Sequence, residues 1–205
     1  MSIEIKISKN RILYKKAMLT LEKRVEDVKK GFKKELIWIL EHPTTYTGGI
    51  RSSNKEILDK KIKIIKTNRG GKITLHNPGQ KIIYFVIDLN KKKKDIRQFV
   101  KFLEESILEL LKIYNIEARA DRQNIGIWVK DKKIAAIGIK IKKWIAYHGC
   151  SININNNLSE YKKIIPCGLN NKMITSFEDL GLKKVDNLNK NIIKIFLKNL
   201  SKISI

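Results

Sequence analysis

Three successive extended segments between residues 125 and 155 restrict the folds open to this chain. Two apolar runs flank a charged turn at residues 130–132 in IGIWVKDKKIAAIGIKI (125–141), which predicts a β-hairpin. The run WIAYHGCSININ (144–155) follows almost at once and predicts a third strand. Because strands joined by such short turns pair in antiparallel fashion, the pattern indicates a mostly antiparallel sheet.

The rest of the chain alternates between helical and extended patterns. Helices are expected in three windows: 12–32, 91–116 and the neighbourhood of 188–200. Asp95 is the expected N-cap of the second helix, and Phe32 ends the apolar face of the first. Strand-like runs occupy three segments: 35–42, 61–68 and 81–89. We expect a loop over 44–49 and a glycine-rich turn with a short extended centre over 69–80. This order of elements predicts an α+β fold.

Length and composition favour one cytoplasmic domain spanning residues 1–205. The chain has 205 residues, 42% of them hydrophobic, which is enough for one sizeable core. No run of about 18 uninterrupted apolar residues predicts a membrane span, and the N-terminal stretch has no signal-peptide pattern. Two cysteines in such a chain indicate free thiols in a reducing compartment. Their spacing fits no zinc pattern, so we expect no metal site.

The net charge of +24 has two explanations. Lysine, asparagine and isoleucine are all abundant and all have A/T-rich codons, so a biased genome composition accounts for them together. Alternatively, a basic surface steers acidic partners toward the protein. A nucleic-acid-binding module is a third reading, but it predicts a localised basic face with interleaved aromatic residues. The lysines are spread along the chain and the aromatic residues lie mostly in apolar strands, so nucleic acid is an unlikely partner.

Cys167 lies in the turn-like sequence IIPCGL, between a proline and a glycine. A cysteine nucleophile reacts as the thiolate, which needs a nearby cation, a base or a helix N-terminus to form near neutral pH. Gly168 would let a substrate approach the backbone closely, and the amides after the cysteine could bind an oxyanion. The alternative is a small buried hydrophobic residue at a turn.

Two other stretches could carry chemistry. Paired glycines in RGGKITLHNPGQ (69–80) permit close passage of a ligand beside the main chain, although a tight β-turn would also use them. Lys133 precedes the small residues Ala135, Ala136 and Gly138, which leave room for an acyl chain. A partly desolvated lysine there could act as an acid or base. Judged alone, Lys133 is more simply an exposed lysine of the hairpin.

The histidines add further candidates for a base beside the thiol. His42, His76 and His148 are the three histidines of the chain. A Cys–His pair is the usual arrangement in thiol enzymes. The sequence does not choose among these histidines or between them and Lys133.

Four motifs in this order resemble the lipoyl(octanoyl) transferase family: EHPTTYTGG, NRGGKITLHNPGQ, KKIAAIGIKI…YHGCSININ and IIPCGL…ITS. The resemblance covers most of residues 35 to 180. It implies the fold that this family shares with lipoate–protein and biotin–protein ligases. That fold is a single domain with a mixed, largely antiparallel sheet flanked by helices.

The resemblance also implies a site. Cys167 matches the family's acyl-thioester nucleophile, and Lys133 matches the lysine that lowers its pKa and relays protons. The matched substrate-binding residues fall in three stretches: Arg69, Gly70, Gly71, Lys72, Ile73, Thr74, Leu75 and His76; Ala136, Ile137 and Gly138; Gly149, Cys150 and Ser151. Cys150 departs from the family pattern, which usually has an apolar residue there.

The implied reaction needs no cofactor. Octanoyl-acyl carrier protein is the expected donor. The expected acceptors are lipoyl domains of 2-oxoacid dehydrogenase E2 subunits and the glycine cleavage H protein. An ATP-dependent lipoate–protein ligase is the alternative, in which the lysine would serve an adenylate. The Pro-Cys-Gly setting of Cys167 favours the transferase.

Overall fold

Ten strands and three α-helices make up most of the regular structure in the described part of the chain. The computed structural model describes residues 3–121, 123–166 and 173–203. The strands are β1 (Ile3–Ile7), β2 (Glu35–Leu40), β3 (Thr45–Gly48), β4 (Ile64–Lys66), β5 (Ile73–His76), β6 (Gln80–Asp88), β7 (Arg119–Asp121), β8 (Gly126–Val129), β9 (Lys132–Lys142) and β10 (Ile145–Asn153). The helices are α1 (Tyr14–Lys29), α2 (Ile96–Ile113) and α3 (Leu188–Leu200).

Seven strands form the main sheet, in the order β1-β2-β6-β10-β9-β8-β7. Its neighbours all pair antiparallel except β1 and β2, which are parallel. The predicted hairpin and third strand are β8, β9 and β10, with Ala136 opposite Ser151 in the β9–β10 register. The α+β fold with a mixed, mostly antiparallel sheet is therefore confirmed. A second sheet has the order β4-β3-β5.

The main sheet carries a different set of helices on each face. Side chains such as Ile83 and Phe85 pack with α2 and α3 in the larger core. Ile82, Tyr84 and Val86 alternate with them along β6 and pack against α1, as the period of two in a strand requires. Both faces of β6 are thus buried, which explains why its sequence is a continuous apolar run.

The ends of the helices follow from capping. The Asp95 carboxylate accepts hydrogen bonds from the backbone N–H groups of Arg97 and Gln98, at 2.8 and 3.1 Å, so the predicted N-cap of α2 is confirmed. α1 ends at Lys29, and the chain turns at Gly31 with a positive φ of 74°. Phe32 therefore lies beyond the helix and is 76% exposed, so its placement on the buried face was wrong.

The expected loop over 44–49 is also wrong, because residues 45–48 form β3. This strand is the centre of the small sheet, with Thr47 opposite Thr74 of β5. Its threonine-, tyrosine- and glycine-containing sequence resembles a turn, and pairing on both edges decides its conformation. β4 is shorter than the strand predicted over 61–68, and the edge strands β1 and β7 were not predicted. In the described ranges, no helix has the length and apolarity that a bilayer crossing demands.

Candidate active site

The predicted substrate-binding stretches converge on one cavity beside the main sheet. Its volume is about 80 Å³. Its predicted lining residues are Arg69, Gly70, Gly71, Lys72, Thr74, His76, Ala136, Ile137, Gly138, Gly149, Cys150 and Ser151. Tyr14, Ile82, Tyr84 and His148 complete the wall. Ile73 and Leu75 lie instead in a small core with Tyr161, because side chains alternate along β5.

A smaller cavity, of about 20 Å³, continues from the first. Thr74, Ala136 and Ser151 line both. The other residues around the smaller cavity are Lys133, Ala135, Asn153, Tyr161, Pro166 and Ile174. Three larger depressions, of about 500 to 740 Å³, lie elsewhere and contain none of the predicted site residues. The residues that line the two connected cavities therefore mark the candidate site better than cavity size does.

Lys133 is buried at the smaller cavity. Only 5% of the residue is exposed, so the interpretation as an exposed hairpin lysine is wrong. Its Nζ donates a hydrogen bond of 3.0 Å to the Ile125 carbonyl and lies 4.9 Å from the centre of the Trp128 ring. The strand register between β8 and β9 shifts at Ile127 and Trp128, and the Trp128 ring packs beside the Lys133 side chain.

Cys167 lies outside the described residues, but the chain on both sides of it reaches this cavity. Pro166, its immediate neighbour, lines the wall with Lys133. On the other side, the Thr175 N–H donates to the Lys133 carbonyl at 3.0 Å. The Thr175 carbonyl in turn accepts from Asn153 Nδ2, also at 3.0 Å. Thr175 is thereby hydrogen-bonded to both β9 and β10.

Hydrogen bonds through the side-chain amides of Asn153 and Gln80 connect Thr175 to His76. Since the Thr175 carbonyl can only accept, Asn153 must face it with Nδ2 and turn Oδ1 toward Gln80. Gln80 Nε2 donates to Asn153 Oδ1 at 2.9 Å, and Gln80 Oε1 accepts from His76 Nδ1 at 2.8 Å. The His76 proton is thus held on Nδ1, which leaves Nε2 as an acceptor.

All three histidines lie near the larger cavity as neutral groups. Burial, followed by the charge of His42, lowers the pKa of His76 to about 3. Burial also lowers the pKa values of His42 and His148 to about 4. His42 Nδ1 donates to the Ile12 carbonyl, and its Nε2 accepts from the Tyr84 hydroxyl. At neutral pH none of them supplies a positive charge to stabilise a thiolate.

These lowered pKa values predict that acid destabilises the fold between about pH 6.5 and 4. In the unfolded chain each histidine binds a proton near pH 6.5, whereas the folded chain does not until about pH 4 or below. Stability is fully present above pH 6.5 and falls as the pH drops, by an amount on the order of 3 kcal/mol per histidine at full extent. Urea unfolding at pH 7, 6 and 5 measures the slope.

His148→Asn is the matched variant for this measurement. Asparagine tolerates the positive φ of 65° at this position and does not titrate in this range. The variant should lose part of the pH dependence, and equal stability of the wild type at pH 7 and pH 5 would contradict the prediction.

Two buried polar atoms on the cavity wall have no hydrogen-bond partner among the described residues: Arg69 Nε and His148 Nε2. The Arg69 guanidinium donates its other bonds to Thr47, at 2.8 and 2.9 Å, and to the Gly70 carbonyl, at 2.9 Å. No carboxylate within the described ranges forms an ion pair with it. This part of the wall is therefore polar and positively charged.

Close packing of the backbone next to His148 explains why residue 149 is a glycine. His148 has a positive φ, and its ring stacks on Tyr147 with 4.8 Å between ring centres. A Cβ on Gly149 would lie 2.0 Å from the Ile83 carbonyl oxygen, which no side chain tolerates. Gly149 is thus required by the close packing of β10 on β6.

Sequence reasoning missed three wall residues, Tyr14, Ile82 and Tyr84. Ile82 and Tyr84 belong to a strand with a continuous apolar pattern, which predicted only core positions for them, and no pattern singled out Tyr14 at the start of α1. Gln80 lies within the quoted motif NPGQ, but its bond to His76 was not predicted.

The chain is similar to known proteins over most of its length. Residues 14–197 match the lipoyl protein ligase A/B catalytic domain family. The chain is 42% identical over 204 residues to the octanoyltransferase of Wolbachia sp. subsp. Brugia malayi (strain TRS), covering 95% of this chain and 100% of the relative. It is 43% identical to that of Ehrlichia chaffeensis (strain ATCC CRL-10679 / Arkansas), covering 88% and 87%.

Solved structures show the same fold at low sequence identity. A lipoate-protein ligase A bound with ATP has a TM-score of 0.77 and 15% identity, covering 98% of this chain and 86% of the ligase. A biotin protein ligase from Aquifex aeolicus in complex with biotin and ATP has a TM-score of 0.56 and 14% identity, covering 98% and 70%.

Proposed function

Because the chain belongs to the octanoyltransferase family, whose members transfer octanoyl groups in protein lipoylation, we propose that it works through a thioester at Cys167. Acyl carrier protein donates the octanoyl group, and a lysine of a lipoyl domain accepts it. One observation carries the proposal: the three stretches predicted to bind substrate line one cavity, which continues to Lys133 and to Pro166, the residue before Cys167.

The proposed reaction has two acyl-transfer steps. The Cys167 thiolate attacks the donor thioester carbon, a new C–S bond forms, and the donor thiolate leaves and takes up a proton. The neutral amine of the acceptor lysine then attacks the acyl-enzyme. A C–N bond forms, the bond to Cys167 breaks, and the amine loses a proton. Thioester exchange is nearly balanced in free energy and the amide is more stable, so ATP is not required.

Lys133 acts on the first step in this proposal. A buried ammonium beside the thiol favours the thiolate and can give a proton to the departing donor thiol. The three histidines are neutral near pH 7, which leaves Lys133 as the cationic side chain lining the smaller cavity.

The donor and acceptors are expected to be acidic proteins in the cytoplasm. Lipoyl domains of 2-oxoacid dehydrogenase E2 subunits and the glycine cleavage H protein are the proposed acceptors. A chain with a net charge of +24 would attract such partners over a long range. Association that slows steeply with added salt would support this steering.

Intact-mass analysis tests the proposed function directly. The protein is incubated with octanoyl-acyl carrier protein without an acceptor, in the presence and absence of ATP. We expect a single octanoyl adduct in both samples, released when a lipoyl domain is added. An adduct that requires ATP and free octanoate would instead establish a ligase.

Cys150 is expected to be dispensable for transfer. The residue is 4% exposed, and burial raises the pKa of its thiol far above the usual range, so it stays protonated and unreactive. Cys150→Ala should therefore retain most activity, within a few-fold of wild type. Peptide mapping that finds the octanoyl group on Cys150 would reverse the assignment of the nucleophile.

A further inference from the structure

Trp128 of β8 and Lys133 of β9 lie opposite each other in the main sheet. The strand register shifts beside them, because Ile127 pairs with Ala135 and Trp128 pairs with Lys133. One residue of β9, Ile134, is therefore left without a counterpart on β8, which is the arrangement of a β-bulge. A bulge changes the direction of the side chains next to it. Here the Lys133 side chain lies on the Trp128 ring, with Nζ 4.9 Å from the ring centre.

The start of β8 and the turn before it complete a cradle around the Lys133 side chain. The Ile125 carbonyl accepts a hydrogen bond of 3.0 Å from Lys133 Nζ. Gly126 has a φ of 146°, and a Cβ on it would lie 3.0 Å from Lys133 Cε, so the lysine stem passes over a position that suits glycine. The Trp128 ring is itself fixed, because its Nε1 donates a hydrogen bond of 3.0 Å to the Asn124 carbonyl.

Both contacts of the ammonium favour the charged form of Lys133. The face of an aromatic ring attracts a cation, and the attraction is strongest where water is excluded. Lys133 meets that condition, since only 5% of the residue is exposed. A carbonyl oxygen also accepts a stronger hydrogen bond from an ammonium than from a neutral amine. Burial acts in the opposite direction, because it disfavours the charge.

We propose that Trp128 is a positioning residue, which together with the Ile125 carbonyl keeps the buried Lys133 ammonium charged and holds it at the smaller cavity. Trp128 does not line that cavity, so it acts through Lys133. The use of the charge rests on the proposed function. Lys133 gives its proton to the departing donor thiolate, and the neutral amine that remains takes up the proton that the acceptor amine loses in the second step.

Trp128→Leu and Trp128→Phe test the ring itself. Leucine removes the aromatic face, whereas phenylalanine keeps a smaller one. Trp38→Leu is the matched control, because Trp38 and Trp128 are both 2% exposed. The Trp38 ring packs in the core beneath α1, and its cation contact is with Lys6.

The first readout is the titration of Lys133, followed by proton–carbon NMR of protein labelled at the lysine Cε atoms. The Lys133 signal is identified by its loss in Lys133→Arg. We expect the titration midpoint to fall by about one pH unit in Trp128→Leu and by about half a unit in Trp128→Phe. Trp38→Leu should keep the wild-type midpoint. Thermal unfolding confirms that each variant is folded, and Trp128→Phe decides if Trp128→Leu does not fold.

The second readout is the pH dependence of kcat/KM for octanoyl transfer. Because Lys133 acts as the acid in this proposal, the loss of rate at high pH should begin at lower pH in the Trp128 variants. The size of the change should follow the order of the NMR midpoints. Trp38→Leu should keep the wild-type position of this loss, whatever its effect on stability.

The two readouts separate the possible failures. A wild-type midpoint in the folded Trp128 variants, or an equal shift in Trp38→Leu, overturns the cradle. A rate profile that stays in place while the midpoint moves overturns the use of the charge in transfer. Failure of the wild type to form any acyl adduct at Cys167 overturns the proposed function instead, and the NMR titration still decides on the cradle.

Discussion

Replacing Cys167 with serine should abolish octanoyl transfer, by about 10³-fold or more, and leave the fold intact. Serine has nearly the same shape, but its hydroxyl stays protonated near neutral pH, where the cysteine thiol can ionise. The hydrogen bond from Asn153 to the Thr175 carbonyl does not involve Cys167 and is left in place by the substitution. The measurement is single-turnover transfer from octanoyl-acyl carrier protein, with thermal unfolding in parallel.

Cys150→Ala is the matched control, because it removes the other thiol of the chain. We expect Cys150→Ala to form the adduct and Cys167→Ser not to form it. Substantial acyl transfer by a folded Cys167→Ser protein would exclude Cys167 as the nucleophile.

Lys133→Ala should slow alkylation of Cys167 at neutral pH and lose most octanoyl transfer. Without the ammonium the thiolate is less stable, so the pKa of Cys167 rises and the alkylation profile moves to higher pH. Lys133→Arg keeps the charge, but a guanidinium does not exchange protons near neutral pH. It should therefore retain part of the thiol reactivity, if its head fits beside Trp128, and still lose most transfer.

The measurement is the pH dependence of iodoacetamide alkylation, followed at Cys167 by mass spectrometry in a Cys150→Ala background. Wild type, Lys133→Ala and Lys133→Arg are compared. A profile that is identical in wild type and Lys133→Ala would show that another group activates the thiol. The histidines could not supply that charge, since their pKa values are lowered to about 4 or below.

Periodicity predicted those elements whose conformation is decided locally. The hairpin of β8 and β9 has alternating apolar residues and a charged turn, and α3 was placed at its observed limits. β3 was missed because its conformation depends on pairing with β4 and β5, which are distant in the sequence.

The site was predicted in part for a similar reason. The motif resemblance selected the stretches that line the cavity, but it carries no geometry. The burial of Lys133 depends on Trp128 and on the Ile125 carbonyl, and the polar part of the cavity wall depends on Arg69 reaching over Gly138. These contacts are set by tertiary packing, so neither the local pattern nor the motif reveals them.

The division of the main sheet into two faces has an evolutionary consequence. Along β9, Gly138 faces the cavity, whereas Ile139 and Ile141 pack toward the core beneath α2 and α3. A complete substitution scan of β9 should therefore alternate residue by residue: changes on one face alter which acyl groups are used, and changes on the other reduce the yield of folded protein. Selection could then change substrate choice through the cavity-facing residues of β9 while its core-facing residues stay the same.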